Sequence, residues 1–221
     1  MADQGAKGVA YLFRKYGVEH VRGWGRLAGP PNASGVHRVI VGAPAGATAG
    51  NPIGVVAGEA ERTLEARNVV IATGSRVKGI PILRPDGDRL WSSDQAVYPP
   101  SIPASLVVVG AGAVGMEFAD VYASFGVRVT VIEAAPRVLP VEDAEVSAVV
   151  EKVFRRRGIE VLTGARLERA DVGADGVSVT AMAGDSTRTF QAERVLVAVG
   201  RAPVIEHIGL EAAGVTIERG F

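Results

Sequence analysis

The sequence predicts an α/β fold: a parallel sheet with crossing helices and an antiparallel meander, joined to a shorter, incomplete segment of similar design. Three observations predict it. Apolar runs at 106–109, 127–132 and 194–199 read as strands buried on both faces. Apolar residues recur at helical spacing between the first two runs and again after the second. Short alternating runs at 166–171, 177–182 and 187–191 then read as a meander.

Taken in order, 8–16 looks like the end of an amphipathic helix, with Val9, Leu12 and Phe13 on one face and Gly17 as its stop. Residues 18–24 alternate toward a strand. The runs 36–41, 53–57 and 62–66 predict a first small meander, and 68–72 (Asn-Val-Val-Ile-Ala) a continuous apolar strand leading into Thr73-Gly74-Ser75. Gly79, Pro81, Pro85, Gly87, Pro99, Pro100 and Pro103 mark 79–103 as a linker. Beyond it, Val114, Phe118, Val121, Tyr122 and Phe125 form one helical stripe that Gly126 ends. Val146, Val149, Val150, Val153 and Phe154 form another over 144–157. Its acidic start, basic end and Gly158 agree with the helix dipole. Residues 159–162 predict a further strand. The expected division is 1–98, a partial domain with its linker; 99–201, a complete one; and 202–221, a return toward the first.

With 221 residues, the chain can bury one large core or two modest ones. Its 24 basic and 24 acidic side chains cancel, so no overall field draws it to nucleic acid or an anionic membrane. The uncharged stretch 39–58 carries Pro44 and Pro52 among many glycines, which break the helix a membrane span needs. The first residues lack the basic start and apolar run of a signal peptide. Together with the absence of cysteine, this makes the cytoplasm the expected location.

Chemistry enters at residues 106–115. An apolar strand breaks into Gly110-Ala111-Gly112-Ala113-Val114-Gly115, which opens a helix. In that Gly-x-Gly-x-x-Gly pattern the first glycine permits a tight turn. The second removes a side chain between backbone and phosphate, and the third lets helix and strand pack. The free N–H groups of the helix mouth, with a partial charge of about +0.5, then meet a pyrophosphate. Glu133 ends the next strand, 18 residues after Gly115, where an acid accepts hydrogen bonds from ribose hydroxyls and repels a 2′-phosphate. This is a Rossmann-like pattern that favours NAD over NADP. A purely structural turn, and a solvated acid at a strand end, are the competing readings. Arg137 offers a phosphate ligand or a solvated loop cation.

These residues, together with Glu117, Ala72-Thr73-Gly74-Ser75 and Val199-Gly200-Arg201-Ala202-Pro203, occur in the order used by flavoprotein disulfide reductases. The chain resembles that pyridine nucleotide-disulfide oxidoreductase family, and within it the dihydrolipoamide dehydrogenases. Residues 8–15 and 23–29 are also similar to the family's sequence before its first meander. The resemblance implies that 99–201 is an NAD-binding domain and that the flanking parts belong to an FAD-binding domain. It implies NAD contacts at Gly110, Ala111, Gly112, Ala113, Val114, Gly115, Met116, Glu117 and Glu133. It adds Leu167 against the adenine, and Gly200 with Arg201 beside the nicotinamide half. Glu117 is the acid it places near nicotinamide and flavin. FAD contacts are implied at Gly25, Thr73, Gly74 and Ser75. The implied partners are a lipoyl dithiol substrate, a second identical subunit and a 2-oxo acid dehydrogenase complex.

The departures define a further expectation. The family's first glycine-rich FAD loop, its Cys-x-x-x-x-Cys pair and its His-Glu acid/base have no match here. His20, His37 and His207 match no catalytic position, and no metal-ligand cluster is present in the sequence pattern. Thiol exchange needs a thiolate, and the chain has no cysteine. The expectation is therefore a central piece of such an enzyme that does not oxidise dithiols alone. A stand-alone NAD(H)-binding module and a different FAD-dependent NADH oxidoreductase are the alternatives.

Overall fold

The computed structural model describes residues 2–42 and 61–220, which fall into two compact units. The first holds residues up to Gly74 together with 203–220. It contains α1 (Ala2–Lys15) and an antiparallel sheet in the order β1 (Trp24–Leu27), β2 (His37–Gly42), β3 (Arg62–Ala66). Its small core gathers Leu27, Ile208 and Leu210, with Trp24, Val39 and Ile205 packed around them.

Three expectations for this unit change or fall outside it. The run 18–24 does not form a strand; pairing with β2 begins at Trp24, which faces Gly42. The run 68–72 is not a strand either. Among the described residues no strand forms a ladder with it, and an extended segment without that ladder gains neither hydrogen bonds nor burial. Val70 stays 88% exposed as a result. The anticipated strand at 53–57 lies outside the described residues.

The second unit spans Ser75–Ala202. Chain order is β4 (Ser75–Val77), β5 (Leu90–Trp91), α2 (Ser93–Val97), β6 (Ser105–Val109), α3 (Ala113–Ser124), β7 (Arg128–Ile132), α4 (Ala144–Arg156) and β8 (Glu160–Leu162). Then follow β9 (Ala165–Val172), β10 (Val177–Ala183), β11 (Ser186–Ala192) and β12 (Arg194–Val197). Last comes β13 (Arg201–Pro203), which ladders with β4. Five strands form a parallel sheet in the order β5-β12-β6-β7-β8, and β9, β10 and β11 form the antiparallel meander.

The apolar run of β6 explains the layering. Leu106 and Val108 point into a core with Met116, Ala119 and Tyr122 of α3, and with Phe154 of α4. Val107 and Val109 point the other way, against Val177, Val179 and Phe190 of the meander. Every β6 residue is buried, and each of these valines and the leucine contributes about 1.5–3 kcal/mol by leaving water. Both helices stop where expected. The amides of Val127 and Ile159 fold back onto the carbonyls of Tyr122 and Phe154, at 3.1 Å each.

The segment 79–103 is not a linker. Leu90 and Trp91 form the edge strand of the parallel sheet, and Trp91 is 1% exposed against Tyr122. Ser92 then caps α2 reciprocally with Gln95. A two-residue strand leaves no periodicity to read, and the prolines around it carry a stronger loop signal.

Candidate functional site

The carboxyl ends of β6, β7 and β12 converge on the glycine turn, where an open parallel sheet leaves its crevice. The three glycines there serve different needs. Gly110 has φ +102°, and a Cβ on it would stand 2.4 Å from the carbonyl oxygen of Ala198. A Cβ on Gly115 would stand 1.9 Å from the carbonyl oxygen of Gly110. The fold itself demands both. Gly112 is different: its φ of −71° suits any residue, and a Cβ there meets no protein atom within 4 Å. Its missing side chain keeps space open in front of the turn.

That space is continuous with a cleft of about 600 Å³, a volume in the range of small-molecule sites. Gly110, Gly112, Glu133, Leu167 and Gly200 line it, so five of the anticipated contacts are brought together. A smaller hollow of about 140 Å³, also bordered by Gly112, is lined by Ala113, Val114, Gly200 and Arg201. The N-cap of α3 is Gly112, with no side chain capping the helix. The first-turn amides of α3 thus open toward the region where an anion gains most from them.

Glu133 is built into the turn. Its Oε2 accepts the Ala111 N–H at 2.6 Å and its Oε1 accepts the Ala135 N–H at 2.7 Å. A carboxylate has about four acceptor positions, so lone pairs remain for a sugar hydroxyl. Arg137 does not face the cleft as a free cation. Its Nη2 donates to the carbonyl oxygens of Pro140 and Glu142, at 3.0 and 2.9 Å.

Other anticipated positions lie elsewhere. Ala111, Gly115 and Met116 are buried behind the turn, and Met116 donates its amide to Gly112 at 3.0 Å. Glu117 is exposed on α3 and lines neither space. The Arg201 guanidinium is held by Ser75, donating to its hydroxyl and to its carbonyl oxygen at 2.7 Å each. In the first unit, Gly25 and Thr73 line a hollow of about 210 Å³, below the usual ligand range, and Gly74 does not line it. The Thr73 hydroxyl donates to Val204 at 2.5 Å.

Sequence reasoning missed Ile80, Ile82, Pro140, Val141 and Arg166 on the cleft wall. Only the apolar run Ile80-Pro81-Ile82-Leu83 offered a signal. A larger depression of about 830 Å³, lined by Arg89, Arg128 and Glu193, opens at the amino ends of β6 and β7, away from the glycine turn. Among the described residues no group of acidic, histidine or cysteine side chains could hold a metal, and no helix is long and apolar enough to cross a membrane.

Comparison with known proteins agrees with this fold. A family profile described as pyridine nucleotide-disulphide oxidoreductase matches residues 2–221. The dihydrolipoyl dehydrogenase of Zymomonas mobilis is 37% identical over 100% of the chain, which covers 44% of that relative. The dihydrolipoyl dehydrogenase of Chlorobaculum tepidum is 40% identical over 100% of the chain and 43% of its own length. The crystal structure of LpdA from Mycobacterium tuberculosis superposes with a TM-score of 0.81 at 32% identity, covering 99% of this chain and 44% of that one. The chain thus spans less than half the length of the curated relatives it matches.

Proposed function

The chain belongs to the pyridine nucleotide-disulphide oxidoreductase family, and from that premise we propose that its second unit is the NAD-binding part of a dihydrolipoyl dehydrogenase-like flavoprotein. The observation that carries this is Gly112. The fold has room for a side chain there, and a glycine keeps that room for something other than protein. A diphosphate, approaching the open amides of α3, accounts for it.

In this reading the turn and the first-turn amides of α3 hold the pyrophosphate, and Glu133 receives the adenosine ribose hydroxyls. Leu167, Ile80 and Ile82 supply apolar wall beside the base. Ala113, Val114 and Gly200 border the nicotinamide side. When bound, NAD⁺ supplies a hydride acceptor; the chain contributes binding, orientation and selection of the unphosphorylated sugar. Because the chain holds no cysteine, disulfide exchange is not among its own contributions. Oxidation of a dihydrolipoyl group through FAD, and assembly with a second subunit, belong to the proposed whole protein.

The test is Gly112→Val. The variant is expected to melt within a few degrees of the parent chain and to lose NADH binding by at least an order of magnitude. NADH binding equal to the parent's would overturn the proposal.

A further inference from the structure

The segment after Glu133 is tied to the glycine turn twice. While Glu133 accepts the Ala111 amide hydrogen, the Ala111 carbonyl oxygen accepts the Leu139 N–H at 2.8 Å. One residue of the turn, Ala111, is therefore held at both its N–H and its carbonyl by the two ends of the 133–139 loop. Leu139 sits at φ +46°, a region that a leucine rarely adopts unless its surroundings hold it there. Two hydrogen bonds to its carbonyl oxygen, and a bridge across the residues that follow, hold it. The Glu142 amide donates to the Leu139 carbonyl oxygen at 3.0 Å, and the Ser147 hydroxyl donates to the same oxygen at 3.2 Å. Arg137 Nη2 bridges the Pro140 and Glu142 carbonyl oxygens. Pro140 and Val141, the residues under that bridge, form one lip of the cleft.

We infer that Arg137 is a positioning residue for dinucleotide binding. Resting on the NAD reading of the cleft, it acts without touching the ligand: one nitrogen fixes the 139–142 turn, which in turn sets the Leu139 amide on Ala111 and the Pro140–Val141 lip over the bound nucleotide. The preorganisation of such a supporting shell sets affinity in the ligand's immediate contacts. A phosphate-binding role for Arg137, the other role open to it, leaves two backbone carbonyls without their donor.

Arg137→Met keeps the alkyl bulk and removes the donor, while Arg137→Lys supplies one nitrogen able to meet both carbonyls. NADH dissociation constants are expected to rise about tenfold in the methionine variant and to stay within about twofold in the lysine variant. The salt dependence of NADH binding should match the parent's, since no cation on the ligand has been lost. Amide exchange at Leu139, measured without nucleotide, should quicken in the methionine variant. Parent-like NADH affinity in Arg137→Met, an equal loss in both variants, or a flattened salt dependence would each overturn the assignment. Should Arg137→Met not fold, Arg137→Gln, which is too short to reach both carbonyls, replaces it under the same criteria. Faster Leu139 exchange with no NADH binding by the parent would refute the nucleotide reading alone; unchanged exchange refutes the bridge.

Discussion

The Glu133 carboxylate accepts the Ala111 amide hydrogen at 2.6 Å, so the acid expected to select the ribose also braces the phosphate turn. Ala111 is fully buried, and its N–H has no water to turn to if that acceptor is removed. Glu133→Ala is accordingly expected to cost about 1–3 kcal/mol of stability, the usual penalty for a buried donor left alone. Urea unfolding checks this. An unchanged midpoint would show that the turn does not depend on the carboxylate.

Charge reversal at the same position separates selection from bracing. Glu133→Arg should raise the ratio of NADPH to NADH affinity, because a guanidinium favours a 2′-phosphate that the carboxylate repels. Its NADPH affinity should not exceed the parent's NADH affinity, since the Ala111 amide again loses its acceptor. Paired fluorescence titrations with the two nucleotides measure both quantities, and an unchanged ratio would remove Glu133 from sugar selection.

The glycines should divide by role. Gly115→Ala places a methyl group where the Gly110 carbonyl oxygen stands, and overpacking of this kind costs about 1–3 kcal/mol or more. Gly112→Ala should be close to neutral in thermal unfolding, because nothing in the protein meets its Cβ. Equal losses at the two positions would mean that Gly112 also serves the fold.

Tyr122 links α3 to the end of α2, its hydroxyl donating to the Ala96 carbonyl oxygen at 2.8 Å. Burial pushes its phenol above the ordinary value of 10.0. The folded chain thus holds this proton more tightly than the unfolded chain does. The contribution is full below about pH 10 and is lost as pH rises through the folded value. Tyr122→Phe should cost about 1 kcal/mol at pH 8, and the gap to the parent should narrow above pH 10. A gap constant from pH 8 to 11 would contradict this.

Much of the second unit was legible because its signals are redundant. The run 106–109 is apolar at every position, as a strand covered on both faces must be; of the two helical stripes, Phe118, Tyr122, Val150 and Phe154 reach the core, whereas Val121, Phe125, Val146 and Val149 stay exposed. The glycine turn and Glu133 were legible as a pattern, but their division of labour was not. That Gly112 alone of the three turn glycines leaves free space, and that Arg137 spends its nitrogen on two carbonyls, depends on atoms brought together by the fold. The run 68–72 misled for the opposite reason. Val69, Val70 and Ile71 have strand propensity, but propensity cannot supply a neighbouring strand. Leu90–Trp91 was invisible because its burial comes from β12 and Tyr122, not from any local repeat.

Calorimetric titration of NADH into the full 221-residue chain bears most directly on the central claim. A saturable heat fitting a single site, with markedly weaker binding of NADPH, is the expected result. No saturable heat with either nucleotide, from chain that melts cooperatively, would contradict it.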